Sequence, residues 1–224
     1  MCAAVGSAAV LSGCAATGGM SKADKTFARG EYEPAIALYK ADVASGKNAG
    51  VSNFRIGEAY RLSNRLDEAE PFYKAALDGN VKNADLGFRY AEALKANAKF
   101  DEAAQQFQTY AGSGGNSQLV ARADGLAKSA AASKTVAALR PAYDVLPLDA
   151  LNSAESDYSA ALMPGTGEVV FASGRDGKMF TGNGGKFTDL YANKFDDATA
   201  MSGGTPRKLE GPFNTENKHE ASAT

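Results

Sequence analysis

Between Ser21 and Tyr110 apolar residues return every three or four positions, and the small and aromatic ones return again at a longer interval. Ala35, Ala69 and Ala103 recur with a 34-residue spacing. Tyr39, Tyr73 and Phe107 follow four places after them; Tyr32, Leu66 and Phe100 precede them by three. Ala23, Gly57 and Ala91 hold one common place half an interval upstream, with Tyr60 shortly after Gly57. The short period is that of amphipathic helices. It predicts three helix pairs: 22–29 with 31–44, 52–62 with 66–77, and 84–97 with 100–110. Gly30, Asn64 and Ala98 fall at the turn inside each pair. Gly-, Asn- and Ser-rich stretches at 45–48, 78–80 and 112–115 end each pair.

This spacing assigns packing roles. The small residues Ala23, Gly57 and Ala91 on the first helices are expected to face Ala35, Ala69 and Ala103 on the second, letting the backbones approach. Tyr39, Tyr60, Tyr73 and Phe107 are expected to fill the space between one repeat and the next. One such unit cannot bury its apolar face alone; about three are needed for a shared core. Residues 116–139 continue as an Ala-rich helix with Leu119, Ala123, Leu126 and Ala130 on one face, expected to cap the stack. Arg140-Pro141 ends it, because a residue before proline is pushed out of the α region.

Beyond Pro141 the period changes. Residues 143–148, 158–162, 168–173, 189–194 and 207–209 have strand composition. Between them lie turn sequences at 164–167 and 174–177 and a Gly-rich loop at 182–185.

The long period, with small residues at two places and aromatics at two others, resembles the tetratricopeptide repeat (TPR) family. The departures are a large aromatic shifted to Phe54 and Phe88, and Val81 where the family has proline. The resemblance implies a solenoid whose concave surface holds a peptide or a partner helix, without chemistry of its own. Asn53, Arg55 and Arg61 are polar first-helix residues within reach of such a partner; by themselves they read as solvated.

The first 13 residues are uncharged and too short to span a bilayer, which needs about 20 apolar residues. Leu11-Ser12-Gly13-Cys14 resembles the bacterial lipobox, which implies cleavage before Cys14 and acylation of its thiol and new amino group. No Lys or Arg precedes the apolar run, so the start is expected to lie upstream of Met1. Residues 14–20 are then a lipidated tether.

Ser156-Asp157-Tyr158, Met163-Pro164-Gly165, Val169-Val170-Phe171-Ala172-Ser173, Arg175 and Asp189-Leu190-Tyr191 together resemble a blade of a TolB-type β-propeller. Asn214 to Ser222 then looks like the opening of a second blade, equivalent to the stretch that begins at Asn152. The distance between those two starts exceeds that of a typical blade, and the Gly-rich loop accounts for the excess. Since propellers close with roughly four to eight blades, this region is expected to be incomplete, and residues past about Asp149 to be poorly ordered alone.

Charge and composition narrow the chemistry. A formal net charge of −2 with scattered basic residues gives no footprint for nucleic acid. One His and no Trp remove most acid–base and metal constellations. His219-Glu220 begins like a zinc-protease motif, but Ala223 stands where the second His belongs. There is no Gly-x-Ser-x-Gly elbow, and 182–187 lacks the spacing of a phosphate loop. Asp176-Gly177 and Asp196-Asp197 read as turns and solvated loops. No enzyme, cofactor or metal is expected.

The expected fold is thus α+β and multidomain: leader 1–13, tether 14–20, all-α TPR array with capping helix 21–139, and an incomplete all-β propeller at 140–224. Lipobox, TPR array and TolB-type propeller together resemble an OmpA-family envelope lipoprotein of Bacteroidetes-type bacteria, some members of which serve type IX secretion and gliding. The resemblance implies an outer-membrane-anchored, periplasm-facing scaffold. Its partners would be envelope or secretion-system proteins, reached through the array and the propeller. Peptidoglycan would be reached only through an OmpA-like segment beyond Thr224. The alternatives are an exported, propeller-gated hydrolase of prolyl-peptidase type and a general TPR adaptor.

Overall fold

A computed structural model describes residues 20–139, 147–194 and 204–220. Cys14 and the leader, Arg140-Pro141, residues 143–146 and Asp196-Asp197 lie outside the described residues. The architecture is α+β. Among the described residues, seven helices are followed by a four-stranded antiparallel sheet. The helices are α1 (Lys22–Ala28), α2 (Tyr32–Ala44), α3 (Ala49–Leu62), α4 (Glu70–Asp78), α5 (Leu86–Ala96), α6 (Phe100–Ala111) and α7 (Ser117–Ala137).

The turns inside the pairs repeat as closely as the sequence does. Gly30, Asn64 and Ala98 adopt φ of 75°, 60° and 56°. Past each of them an N–H returns to a carbonyl five places back: Glu31 to Thr26, Arg65 to Tyr60 and Lys99 to Leu94, at 3.3, 2.9 and 3.0 Å. This left-handed C-cap satisfies carbonyls that a helix end leaves open. The α1 start is fixed by Ser21, whose Oγ accepts from the Asp24 N–H at 3.0 Å, an N-cap bond.

Two boundaries differ most from the sequence expectation. The fourth helix begins at Glu70, not at residue 66, and the stretch before it is a series of turns in which the Ala69 N–H donates to the Leu66 carbonyl. Pro71 is the reason: lacking an N–H, it cannot bond the carbonyl four places earlier. The third helix starts earlier than expected, at Ala49, after Asn48 in the left-handed region.

The packing residues Ala23, Ala35, Tyr39, Gly57, Tyr60, Ala69, Tyr73, Ala91, Ala103 and Phe107 are all buried, and contacts beyond the expected ones join them. Gly57 does not simply leave room for Ala69. A Cβ on Gly57 would come within 2.6 Å of Cε1 of Tyr73, so the missing side chain makes space for a ring. The aromatic rings, moreover, pair with one another within repeats, while Tyr39, Tyr60 and Tyr73 share one core across repeats. Phe27 meets Tyr32 and Tyr39, Phe54 meets Tyr73, Tyr60 meets Phe72, and Phe88 meets Phe107 and Tyr110. Neighbouring repeats are bridged by cations over those rings: Lys40 over Tyr60 and Phe72, Arg55 over Phe27, Arg122 over Phe88. An aromatic ring has one face for its own partner and one for a cation, which allows both contacts.

Helix α7 buries Leu119, Ala123, Ala127 and Ala130, with Leu126 half-buried beside them. Its outer positions explain why stacking ends here. Asp124 and Lys128 stand one period after Tyr90 and Leu94, and both are exposed. Charged groups in place of the apolar pair give the polar outer face that a terminal repeat requires.

Strands β1 (Asp157–Met163), β2 (Glu168–Ser173), β3 (Asp189–Lys194) and β4 (Arg207–Lys208) lie in sequence order. Residues 147 and 148 of the first expected strand are not in a strand, and 214–220, like the equivalent stretch 152–156, hold no strand. There the Asn214 side chain accepts from the Leu190 N–H and donates to the Leu190 and Leu209 carbonyls, taking up hydrogen bonds at the β3 edge. Among the described residues the sheet is not closed. Past Asp149 the described residues form this sheet. β2 and β3 are buried along almost their whole length, and Leu151, Val169, Phe171 and Tyr191 make a small core with Leu148. Arg175 ties it together. It donates to Ser173 Oγ at 2.8 Å, to the Leu151 carbonyl and to Asp157 Oδ1 at 3.3 Å, while stacking over Phe171 and Tyr191.

Candidate functional site

The first helices α1, α3, α5 and α7 form one row. Arg55 of α3 reaches Asp24 and Phe27 of α1, Arg122 of α7 lies over Phe88 of α5, and Lys95 of α5 donates to Ser129 of α7 at 2.8 Å. The row carries a second register at the same period, of charges. Asp24, Glu58 and Glu92 share one place in the period, and Arg55 and Arg89 share another.

Each carboxylate is held by its own repeat. Asp24 Oδ1 accepts from the Tyr39 hydroxyl at 2.8 Å, and Glu58 Oε1 from the Tyr73 hydroxyl at 2.7 Å. In the third repeat the tyrosine is replaced by Phe107, and Glu92 is bonded by Arg89 at 2.9 Å instead. Arg61 takes both oxygens of Glu58, with Nη2 at 2.7 Å and Nε at 3.0 Å.

These contacts set the protonation states. Burial would raise the Glu58 pKa, but hydrogen bonds from Arg61 and Tyr73, with the charges of Arg61 and Arg89, outweigh it and hold the carboxyl below its ordinary range. Asp24 is also lowered; burial opposes the shift, and Ser21, Tyr39 and Arg55 overcome it. Burial and the adjacent carboxylates push the Tyr39 and Tyr73 hydroxyls up, so both remain donors. The row therefore presents charges already paired in place, a preorganised polar surface.

Of the polar residues that the sequence marks, Asn53 is half-buried on α3. Arg55 and Arg61 are not freely solvated, since both are engaged with carboxylates. Asp24, Glu58, Arg89 and Glu92 are missing from the residues expected on this face, although the same period marks them. His219 packs against Phe180 and Phe187, with Nδ1 3.4 Å from the Thr188 nitrogen. Among the described residues no cluster of three His, Cys, Asp or Glu is placed to hold a metal ion, and no helix is long and apolar enough to cross a membrane.

No curated protein matches the chain. The matched family is the tetratricopeptide repeat, whose sequence model covers residues 60–124, from the end of α3 through the third helix pair into α7.

Proposed function

We propose that the chain is a protein-binding adaptor that holds a segment of its partner along the α1, α3, α5, α7 row. The observation that carries this is the row itself: carboxylates and arginines in register from repeat to repeat, locked by their neighbours. Such a surface loses little conformational entropy on binding, and solenoids of this kind use one extended face for partners. Photo-crosslinking in intact cells, with the crosslinking residue at Arg55 or at Lys74 on α4, tests it. A partner protein captured from position 55 and not from 74 is expected; equal capture from both, or from neither, overturns the assignment of the face.

The finer reading places this adaptor in the bacterial envelope. Acylated Cys14 would hold it to the outer membrane facing the periplasm, and the sheet would belong to a TolB-type propeller. The partners would be envelope or secretion proteins, with peptidoglycan bound through an OmpA-like segment of the longer protein. The lipobox-like Leu11-Ser12-Gly13-Cys14 and the order of the segments support it. Several acyl chains, each buried CH₂ contributing about 0.8 kcal/mol, would anchor the protein stably. Intact mass of the exported protein tests the anchor: an unmodified Cys14 with the leader attached rules it out.

A further inference from the structure

One loop of the sheet reaches the helical array. Residues 180–185 are shaped by their own bonds: the Phe180 N–H donates to the Gly185 carbonyl at 2.7 Å, and the Gly184 N–H to the Phe180 carbonyl at 2.9 Å. Asn183 Oδ1 accepts from the Gly185 N–H at 2.9 Å, and Met179 and Lys186 pair at the base. The loop is thus preformed and does not depend on the array for its shape.

Its tip rests where the α1–α2 and α3–α4 turns meet. The N–H of Glu33, in the first turn of α2 and so without an acceptor inside its own helix, donates to the Thr181 carbonyl at 3.1 Å. The Glu33 carboxylate pairs with Arg65 at 2.9 Å. Gly184, with φ of 75°, lies against that pair. A Cβ there would come within 2.8 Å of Glu33 Oε2 and 3.3 Å of Arg65 Nη1. Arg65 is held from behind by Ser63 Oγ at 3.0 Å and by the Tyr60 ring at 4.8 Å. Glu33 belongs to the first repeat and Arg65 to the second, so the ion pair under the loop spans the junction between repeats.

We propose that loop 180–185 is a releasable latch that fixes the sheet to the array while the first two repeats keep their stacking. A neutral hydrogen bond and a glycine contact are weak holds, so the latch opens reversibly. The Glu33–Arg65 pair gives it a seat that shifts when one repeat moves against the other. By linkage, whatever shifts that stacking loosens the sheet, and docking of the sheet stiffens the stacking in return.

The test measures the distance between spin labels on Lys82→Cys in the array and Met163→Cys in the sheet. It uses the full chain with Cys2 and Cys14 replaced by Ser. One narrow distance is expected in the parent. Gly184→Val, which fills the contact from the loop side, and Arg65→Ala, which removes the seat from the array side, are each expected to lower the narrow component about fivefold relative to the open one, the factor that a single weak hold carries. Circular dichroism and the Phe and Tyr fluorescence of each variant check that helices and sheet remain folded. A broad distance in the parent, or a narrow one that survives either substitution in a folded protein, overturns the proposal.

Discussion

The Tyr73 hydroxyl donates to Glu58 Oε1 at 2.7 Å, and one period earlier Tyr39 makes the same bond to Asp24. The ring of Tyr73 fills the space left by Gly57, while its hydroxyl orders a carboxylate on the first-helix row. One side chain therefore joins the packing of a repeat to the surface that the repeat presents. The third repeat separates the two roles, because Phe107 keeps the ring and lacks the hydroxyl.

This separation predicts the outcome of two substitutions. Tyr73→Phe keeps the ring and loses a hydrogen bond to a charged acceptor, so it is expected to cost about 1.5–2 kcal/mol. Tyr73→Ala also empties a fully buried site and is expected to cost about 3–5 kcal/mol. Urea unfolding followed by far-UV circular dichroism measures both. Equal losses would mean that the hydroxyl, not the ring, holds the repeat together.

Ala98 is a non-glycine residue at φ of 56° in the turn where Gly30 occupies the first repeat. A left-handed conformation costs an L-residue roughly 1–2 kcal/mol through its Cβ, while glycine gives back part of that through its larger unfolded-state entropy. Ala98→Gly is expected to raise stability by about 0.5–1 kcal/mol, read as a higher urea midpoint at unchanged slope. A destabilised Ala98→Gly protein would show that the turn is set by tertiary packing and not by its local conformation.

These particulars show what the sequence can and cannot disclose. Gly30 and Asn64 mark their turns because both residue types tolerate the left-handed region, whereas Ala98 is marked only by its place in the period. The strands at 168–173 and 189–194 are legible because β composition and turn residues bound them on both sides. The start of α4 falls later than the apolar period suggests: that period continues through Leu66, whereas Pro71 interrupts the i to i−4 bonding that a period cannot express. The direction of aromatic packing is not legible in sequence. Tyr73 at one place in the period can face its own repeat or the next; in the fold its ring meets Phe54 and the open side of Gly57 and its hydroxyl meets Glu58, all of its own repeat. Arg55 reads as solvated because its partner Asp24 comes from another helix, whereas the Glu58–Arg61 pair has an i,i+3 spacing on one helix that the sequence does carry.

In the sheet, Arg175 and Asp157 are both largely shielded, with side chains 17% and 11% exposed. Burial would raise the Asp157 pKa, yet hydrogen bonds from Ser173, Ser153 and Arg175 lower it, so the carboxylate is charged in the folded sheet. Arg175→Ala leaves that charge without its cation and strips the cover from Phe171 and Tyr191. A loss of about 3 kcal/mol from the sheet is expected. Arg175→Lys is not expected to restore it, because an ammonium cannot stack on two rings while serving several acceptors in one plane. Hydrogen exchange of the β2 and β3 amides resolves the effect from the helices; protection that falls equally in α3 and α5 would show that the two parts unfold together.

The lowered pKa values of Glu58 and Asp24 make the helical array sensitive to acid. A carboxyl whose folded pKa lies below its unfolded one binds fewer protons in the native state, so stability rises with pH across that interval. The contribution is complete above the ordinary values of 4.5 for Glu58 and 3.8 for Asp24, and is lost as pH falls from there through the depressed folded values. Urea midpoints are therefore expected to be flat between about pH 7 and 5.5 and to fall below about pH 4.5. Tyr73→Phe removes one of the bonds that lowers Glu58, so its unfolding free energy should converge on that of the parent as pH drops, the gap narrowing below pH 4.5. A gap that stays constant down to about pH 3 would place the cost of the substitution in packing and remove Glu58 from the account.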